Sequence, residues 1–344
     1  MKHPSLFPFL LLLFFSLPVF PQQFTIQCID LHQAVPDGRV TEVWNGEGMA
    51  HGYSGKDVII GVTDWGFDYT HPVFYDTLLN NYRILRAWDQ FKNSGPAPAR
   101  FSYGTEYIGK TALLAAQCDT SNIYGYNYHG NHVASIAAGS GGGTKYRGIA
   151  YDAELLFATF LIDEQAVVDA FKWMHGVALT EGKRLVINMS WGLYYFGNMD
   201  GTGRLAEVVD SLSNLGVVFV TSGGNNGEVN FHLEHSFSQN DTIFSRINFA
   251  MAGGTPYWGQ SISMTGTPGN HFSCALKIFD NQYNLLGETP FYHTLNNEGY
   301  VESFVIVNEN DTIYYNVSTE GANSYNNRPQ ARLRLKKPVS GSHI

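Results

Sequence analysis

Cysteine is scarce: Cys28, Cys118 and Cys274 are the whole complement in 344 residues, and no Cys-x-x-Cys spacing occurs. At most one bridge can form, so neither a disulfide framework nor a cysteine-built metal site holds the chain together, and stability must come from burial. Concentrated positive charge is also missing. The formal net charge is −9, and no Lys/Arg group stands out apart from Arg332 to Lys337, which argues against nucleic acid as a partner because phosphate binding depends on a dense positive field. No interior apolar run is long enough to span a bilayer. At the N-terminus, however, Met1-Lys2-His3 precedes Leu6 to Phe20, a charge-free run rich in Leu, Phe and Pro. Its length and basic flank predict a secretory signal over 1–22, hence a secreted or periplasmic protein with no membrane attachment after cleavage.

What remains is globular in composition, 44% apolar, with room for one large domain or two. A short N-terminal extension occupies 23–54. From 55 to 227, short apolar runs alternate with helical stretches. Val58 to Val62, Leu155 to Phe160, Leu185 to Met189 and Val217 to Val220 are too continuous for half-exposed strands and read as strands buried on both faces. Asp163 to Leu179 and Gly203 to Leu215 carry apolar residues at helical spacing. This alternation predicts an α/β fold with a parallel sheet covered by helices. Over 228–337 the pattern changes: Cys274 to Phe279, Val301 to Val307, Thr312 to Val317 and Ala331 to Leu335 alternate apolar and polar residues between turn-forming pairs, which predicts an antiparallel, sandwich-like β-rich insertion. Residues 338–344 form a small, polar tail.

Three segments carry chemistry. Asp64 ends an apolar strand, where ligands and reactions gather in open α/β sheets. His129 opens His-Gly-Asn-His-Val-Ala, with Gly130 allowing close approach and Val133, Ile136 and Ala137 as the apolar helix face, so the imidazole is set at a helix start as a general base requires. His132, inside that helix, reads as a packed core histidine. A metal site on the pair is disfavoured, since the spacing is not the four-residue step of the helical zinc motif and no third ligand lies nearby. Asn225 follows a strand and Gly223-Gly224, where a side-chain amide can donate to a developing oxyanion. Taken singly, Asp64 could cap a turn and Gly-Gly-Asn-Asn-Gly could be an ordinary loop.

In this order, the segments resemble the subtilases, the subtilisin-like serine proteases. Asp64, followed by His71-Pro72, matches the family's triad Asp, His129 matches the triad His, and Asn225 matches the oxyanion Asn. Val186 to Gly192 is similar to the segment whose Ser-x-Gly backbone, here Ser190-Trp191-Gly192, pairs with an extended substrate. Gly148 to Ala153 fits the link from the His helix to the next strand. The order Asp…His adds specificity, because other triads run differently along their chains. The resemblance covers Gly55 to Gly227 and implies peptide-bond hydrolysis of protein or peptide substrates, with no cofactor required. Calcium often stabilises the family, but no Asp-rich loop here is specific enough to assign a site.

The resemblance lacks its nucleophile. No Gly-Thr-Ser occurs anywhere in the sequence, and Ser222, Ser263, Ser340 and Ser342 have other settings. The expectation is therefore an incomplete subtilisin-like layer, truncated before its serine, inactive as it stands and with an exposed sheet edge. A secreted non-catalytic binding protein on the same scaffold is the alternative. It would use Tyr257, Trp258, Tyr292, Tyr314 and Tyr315, although strand packing accounts for such aromatics more economically. Asn240, Asn310 and Asn316 head Asn-x-Ser/Thr triplets, which matter only if the source glycosylates exported proteins.

Overall fold

The computed structural model describes residues 31–120, 128–192, 200–225, 227, 230, 232–238, 241–247, 260–280, 282–296, 299–307 and 311–336. The expected signal segment, the polar tail, Asn240, Asn310, Tyr257 and Trp258 lie outside the described residues.

In the α/β part the elements run α1 (Leu31–Asp37), α2 (Val40–Asn45), β1 (Val58–Asp64), β2 (Ile84–Asp89), β3 (Thr105–Ile108), α3 (Gly109–Ala116), α4 (His129–Ala138), β4 (Glu154–Thr159), α5 (Glu164–Glu181), β5 (Arg184–Met189), α6 (Arg204–Asn214) and β6 (Val218–Thr221). The strands form one sheet in the order β3-β2-β4-β1-β5-β6. All neighbours are parallel except β3, which pairs antiparallel with β2. In the central strands β1 and β4 the apolar runs are continuous because both faces are covered. Ile59, Leu156 and Ala158 pack with Val167, Phe171 and Met174 of α5, whereas Ile60, Val62, Leu155 and Phe157 pack with Leu113 of α3 and Ala134 and Ala138 of α4. At the centre, Gly61 lets α5 come close: a Cβ there would stand 2.6 Å from Met174 Sδ.

Helix α5 begins where Asp163 caps it, accepting from the amides of Gln165 and Ala166 at 2.9 and 3.3 Å, and it stops at Gly182 in the left-handed region. Strand β6 corrects the expectation of burial on both faces: it is the last strand of the sheet, and among the described residues Val218 and Val220 stay 53% and 48% exposed.

Helix α4 departs from expectation in its facing. Its buried residues are Gly130, Asn131, Ala134 and Ala138, while His132 is exposed and Ile136 is 40% exposed. Small residues face inward because the helix lies tight against β1 and the turn that follows it. At this closest approach volume, rather than hydropathy, decides the face, and His132 is no core histidine.

One buried cation ties this layer together. Arg83, just before β2, donates to the carbonyls of Val73, Tyr75, Ala138 and Ala153 at 2.6–2.9 Å. Ala138 closes α4 and Ala153 precedes β4, so one guanidinium joins the end of the His129 helix to the sheet. Burial lowers Arg83 to about 10, which leaves it charged at neutral pH and able to complement the helix C-terminus.

The C-terminal part contains β7 (Gln260–Thr265), β8 (Ser273–Cys274), β9 (Lys277–Phe279), β10 (Leu285–Glu288), β11 (Tyr292–His293), β12 (Gly299–Val307), β13 (Asp311–Glu320) and β14 (Gln330–Lys336). It forms an antiparallel sheet β12-β13-β14-β7 with two ribbons, β10-β9 and β11-β8. Val305, Val307, Tyr315, Val317 and Leu333 share a core with Cys274 and Tyr292 of the second ribbon, which makes the arrangement sandwich-like. The run Cys274 to Phe279 is split between the ribbons instead of forming one strand. Asn316 is only 3% exposed on β13, so a glycan on it would not fit the folded sheet. An Arg328–Asp200 ion pair at 3.0 Å and an Asn326–Thr202 hydrogen bond at 3.2 Å join this part to the loop before α6.

Replacing Arg83 by Leu removes the side-chain donor from four carbonyls; Val73 O keeps the Ser140 amide and hydroxyl, but Ala138 O and Ala153 O are left buried without it. Arg83→Leu is expected to lower stability by roughly 3 kcal/mol or more, since hydrogen bonds to charged groups are worth about 1.5–3 kcal/mol each. Urea denaturation followed by tryptophan fluorescence measures this, and an unchanged midpoint would contradict it.

Candidate active site

Strand β1 lies between β4 and β5 and carries Asp64 as its last residue, in register with Thr159 of β4. The chain then turns through Trp65, Gly66 and Phe67. Asp64 Oδ1 accepts the Trp65 amide at 2.7 Å and faces His129 Nδ1 at 2.7 Å. His129 is the first residue of α4, whose preceding residue, Tyr128, is left-handed and offers no side-chain cap. The open amides of the first helical turn find their partners on the β1 turn instead: Gly130 donates to Trp65 O at 2.6 Å and Asn131 to Gly66 O at 3.1 Å. Helix starts need such acceptors. Contact this close requires Gly130, where a Cβ would fall 2.8 Å from both Trp65 O and the Phe67 ring. Asn131 Oδ1 adds a bond from the Asp68 amide at 3.3 Å.

Asp64 is fully buried, whereas the His129 side chain is 42% exposed. Burial raises the Asp64 carboxyl above its ordinary range, against the opposing pull of His129 and the Trp65 amide; Oδ2 is buried and has no hydrogen-bond partner among the described residues. The hydrogen bond to Asp64 raises His129 above the ordinary imidazole value, and partial burial offsets only part of this. With Nδ1–H held by the carboxylate, the neutral ring carries its lone pair on Nε2. That is the tautomer needed to accept a proton.

Ser190, Trp191 and Gly192 continue from β5 at the same end of the sheet. Trp191 Nε1 donates to Thr63 Oγ1 at 3.0 Å, and its ring packs on Phe160 with centroids 4.9 Å apart. The segment is thereby fixed to the residue preceding Asp64. Ser190 Oγ accepts from Asn188 Nδ2 at 2.9 Å. Asn225 is exposed on the loop after β6, again at the carboxyl end of the sheet. The structure thus brings Asp64 and His129 into direct contact and sets Ser190 to Gly192 and Asn225 along the same sheet end. Ser263 lies on β7, paired with Arg332, far along the chain from the α/β strands. Among the described residues, no group of three or more His, Cys, Asp or Glu is placed to hold a metal ion.

One site residue has no local sequence signal. Asp119 accepts from the Gly66 amide at 3.0 Å, the Phe67 amide at 3.2 Å and Thr159 Oγ1 at 2.6 Å. Its partners lie tens of residues away, so neither motif nor periodicity marks it.

A buried carboxylate at a parallel strand end, bonded to an imidazole at a helix start, matches the arrangement of the acid and base in a triad of the Asp…His…Ser order. The model of the subtilase family matches residues 55–267, and the chain belongs to that family. Furin from Bos taurus is 24% identical over 257 residues, 72% of this chain and 28% of furin. Fervidolysin from Fervidobacterium pennivorans is 26% identical over 186 residues, 52% of this chain and 22% of its own length. The chain therefore spans less than a third of either relative. The structure of the Clostridium perfringens CspB protease aligns with a TM-score of 0.53 and 18% identity over 88% of this chain and 61% of that one, a likeness of fold.

Because Asp64 raises His129, the stabilisation from the pair is fully present below the unfolded imidazole value of about 6.5 and is lost as pH rises through the higher folded value. Asp64→Asn is expected to lower the His129 pKa relative to the wild type, read from imidazole 15N shifts across a pH titration. An unchanged titration would show that the carboxylate does not govern the ring.

Proposed function

We propose that this chain carries the acid, the base and the oxyanion donor of a secreted serine endopeptidase. The 2.7 Å contact between Asp64 and His129 supports this reading most strongly. In the reaction so read, His129 Nε2 takes the proton from a serine hydroxyl as that oxygen attacks the peptide carbonyl, then passes it to the leaving amine. Asp64 orients the ring and stabilises the imidazolium. Asn225 donates its side-chain amide to the oxyanion, a contribution of about 3–4 kcal/mol where such a donor has been removed. Ser190 to Gly192 receives the substrate as an added strand. The chemistry calls for no cofactor, and protein or peptide substrates are its partners.

The nucleophile is read as a serine outside residues 1–344, since no serine here has the Gly-Thr-Ser setting. Loss of a nucleophile costs roughly a million-fold in turnover, so residues 1–344 alone should be silent as a protease. Of the aromatics named for the binding-protein alternative, Tyr292 and Tyr315 are buried and bond each other through their hydroxyls at 2.8 Å, so they serve the β-rich core, whereas Tyr314 is 45% exposed.

Two measurements test this. A fluorophosphonate probe should leave purified residues 1–344 unlabelled, and labelling of any serine would contradict the proposal. Sequencing of the gene beyond the Ile344 codon should reveal a Gly-Thr-Ser-Met-Ala-like motif in one reading frame, followed by an α/β pattern; its absence from all three frames would favour the binding protein.

A further inference from the structure

The turn between Asp64 and the His129 helix is held from both sides. Its carbonyls, Trp65 O and Gly66 O, receive the first amides of α4. Its amides, from Gly66 and Phe67, point the other way and end on the two oxygens of one buried carboxylate, Asp119. Asp119 closes the loop further through its own amide, which donates to Phe67 O at 3.2 Å.

Asp119 is in turn fixed to the sheet. Its Oδ2 accepts from Thr159 Oγ1 at 2.6 Å, and Thr159 is the residue of β4 in register with Asp64. Thr159 is also in register with Asp89 of β2. Asp89 is buried and accepts the amide of Thr120, the neighbour of Asp119, at 2.6 Å. A continuous path of hydrogen bonds therefore runs from the ends of β2 and β4, through Asp119, to the β1 turn and on to the start of α4. The bonds from Thr159 Oγ1 and from the Thr120 amide, each 2.6 Å, are short, as charge-assisted bonds are, and those from the Gly66 and Phe67 amides are of ordinary length.

We propose that Asp119 is a positioning residue for the Asp64–His129 pair, its carboxylate holding the Trp65–Phe67 turn so that the His129 helix is docked at bonding distance from Asp64. The inference rests on reading that pair as the acid and base of the endopeptidase. Through the Gly66 and Phe67 amides, Asp119 acts on the pair by way of the backbone of the turn. Without it, two buried amides lose their acceptors, the turn relaxes, and the carbonyls that receive Gly130 and Asn131 move with it.

The test uses purified residues 1–344 and the variants D119A, D119N and T159V. The readouts are the low-field proton resonance of the His129 Nδ1–H held by a carboxylate, the 15N titration of the ring, and the urea midpoint. D119A should lose the resonance and move the titration down toward an ordinary imidazole. D119N, with one acceptor oxygen and the same size, should keep a weakened resonance, and T159V, which leaves both backbone bonds in place, should keep most of it. A purely structural Asp119 would lower the urea midpoint while leaving resonance and titration unchanged in D119A, which would overturn the proposal. If D119A does not fold, D119N decides, because an unaltered resonance there gives the same contradiction. None of these readouts needs a nucleophile, so a failed protease assignment and a failed role for Asp119 would be seen separately.

Discussion

Two hydrogen bonds, from the amides of Gly130 and Asn131 to the carbonyls of Trp65 and Gly66, join the two elements that carry Asp64 and His129. They satisfy the open end of α4 with the turn that leaves β1, and in doing so place His129 against Asp64. Much of the surrounding architecture serves that junction. Glycine at position 130 permits the approach, small residues line the inner face of α4, and Arg83 grips the other end of the same helix through Ala138 O. The acid and the imidazole come together because the helix and the strand end are already joined by their backbones.

The electrostatics follow from the same placement. Asp64 is sealed beneath the turn while His129 reaches solvent. A buried carboxylate is costly unless its charge is met, and the imidazole meets it at a single oxygen. The consequence is a ring whose affinity for a proton exceeds the ordinary value, with its reactive nitrogen on the exposed side of the pair. General-base work near neutral pH asks for this combination.

The strands β1, β4, β5 and β6 were legible in the sequence as predominantly apolar runs, and the contact of Asp64 with His129 was legible because Asp64 ends such a run and His129 opens a helix beside Gly130. The elements missed had no comparable signal. In β2, Arg86 interrupts Ile-Leu-Arg-Ala-Trp-Asp, and β7, Gln-Ser-Ile-Ser-Met-Thr, becomes a strand only by pairing with β14, a partner more than sixty residues away. On α4, Val133 and Ala137 pack against the core as hydropathy suggests, whereas Ile136 and His132 are exposed because the closest approach to the β1 turn is made by Gly130, Asn131 and Ala134. Asp119 and Arg83 were invisible for a third reason. Each acts on backbone groups scattered along the chain, and no local pattern encodes that.

The account stands on α4 being docked to the β1 turn in solution, and amide hydrogen exchange measures this directly. First-turn helix amides without acceptors exchange freely, so the account predicts that Gly130 and Asn131 are protected as strongly as the central amides of β1. Exchange at these two positions as fast as in an exposed loop would show that the helix is not held there, and the preformed Asp64–His129 pair would fall with it.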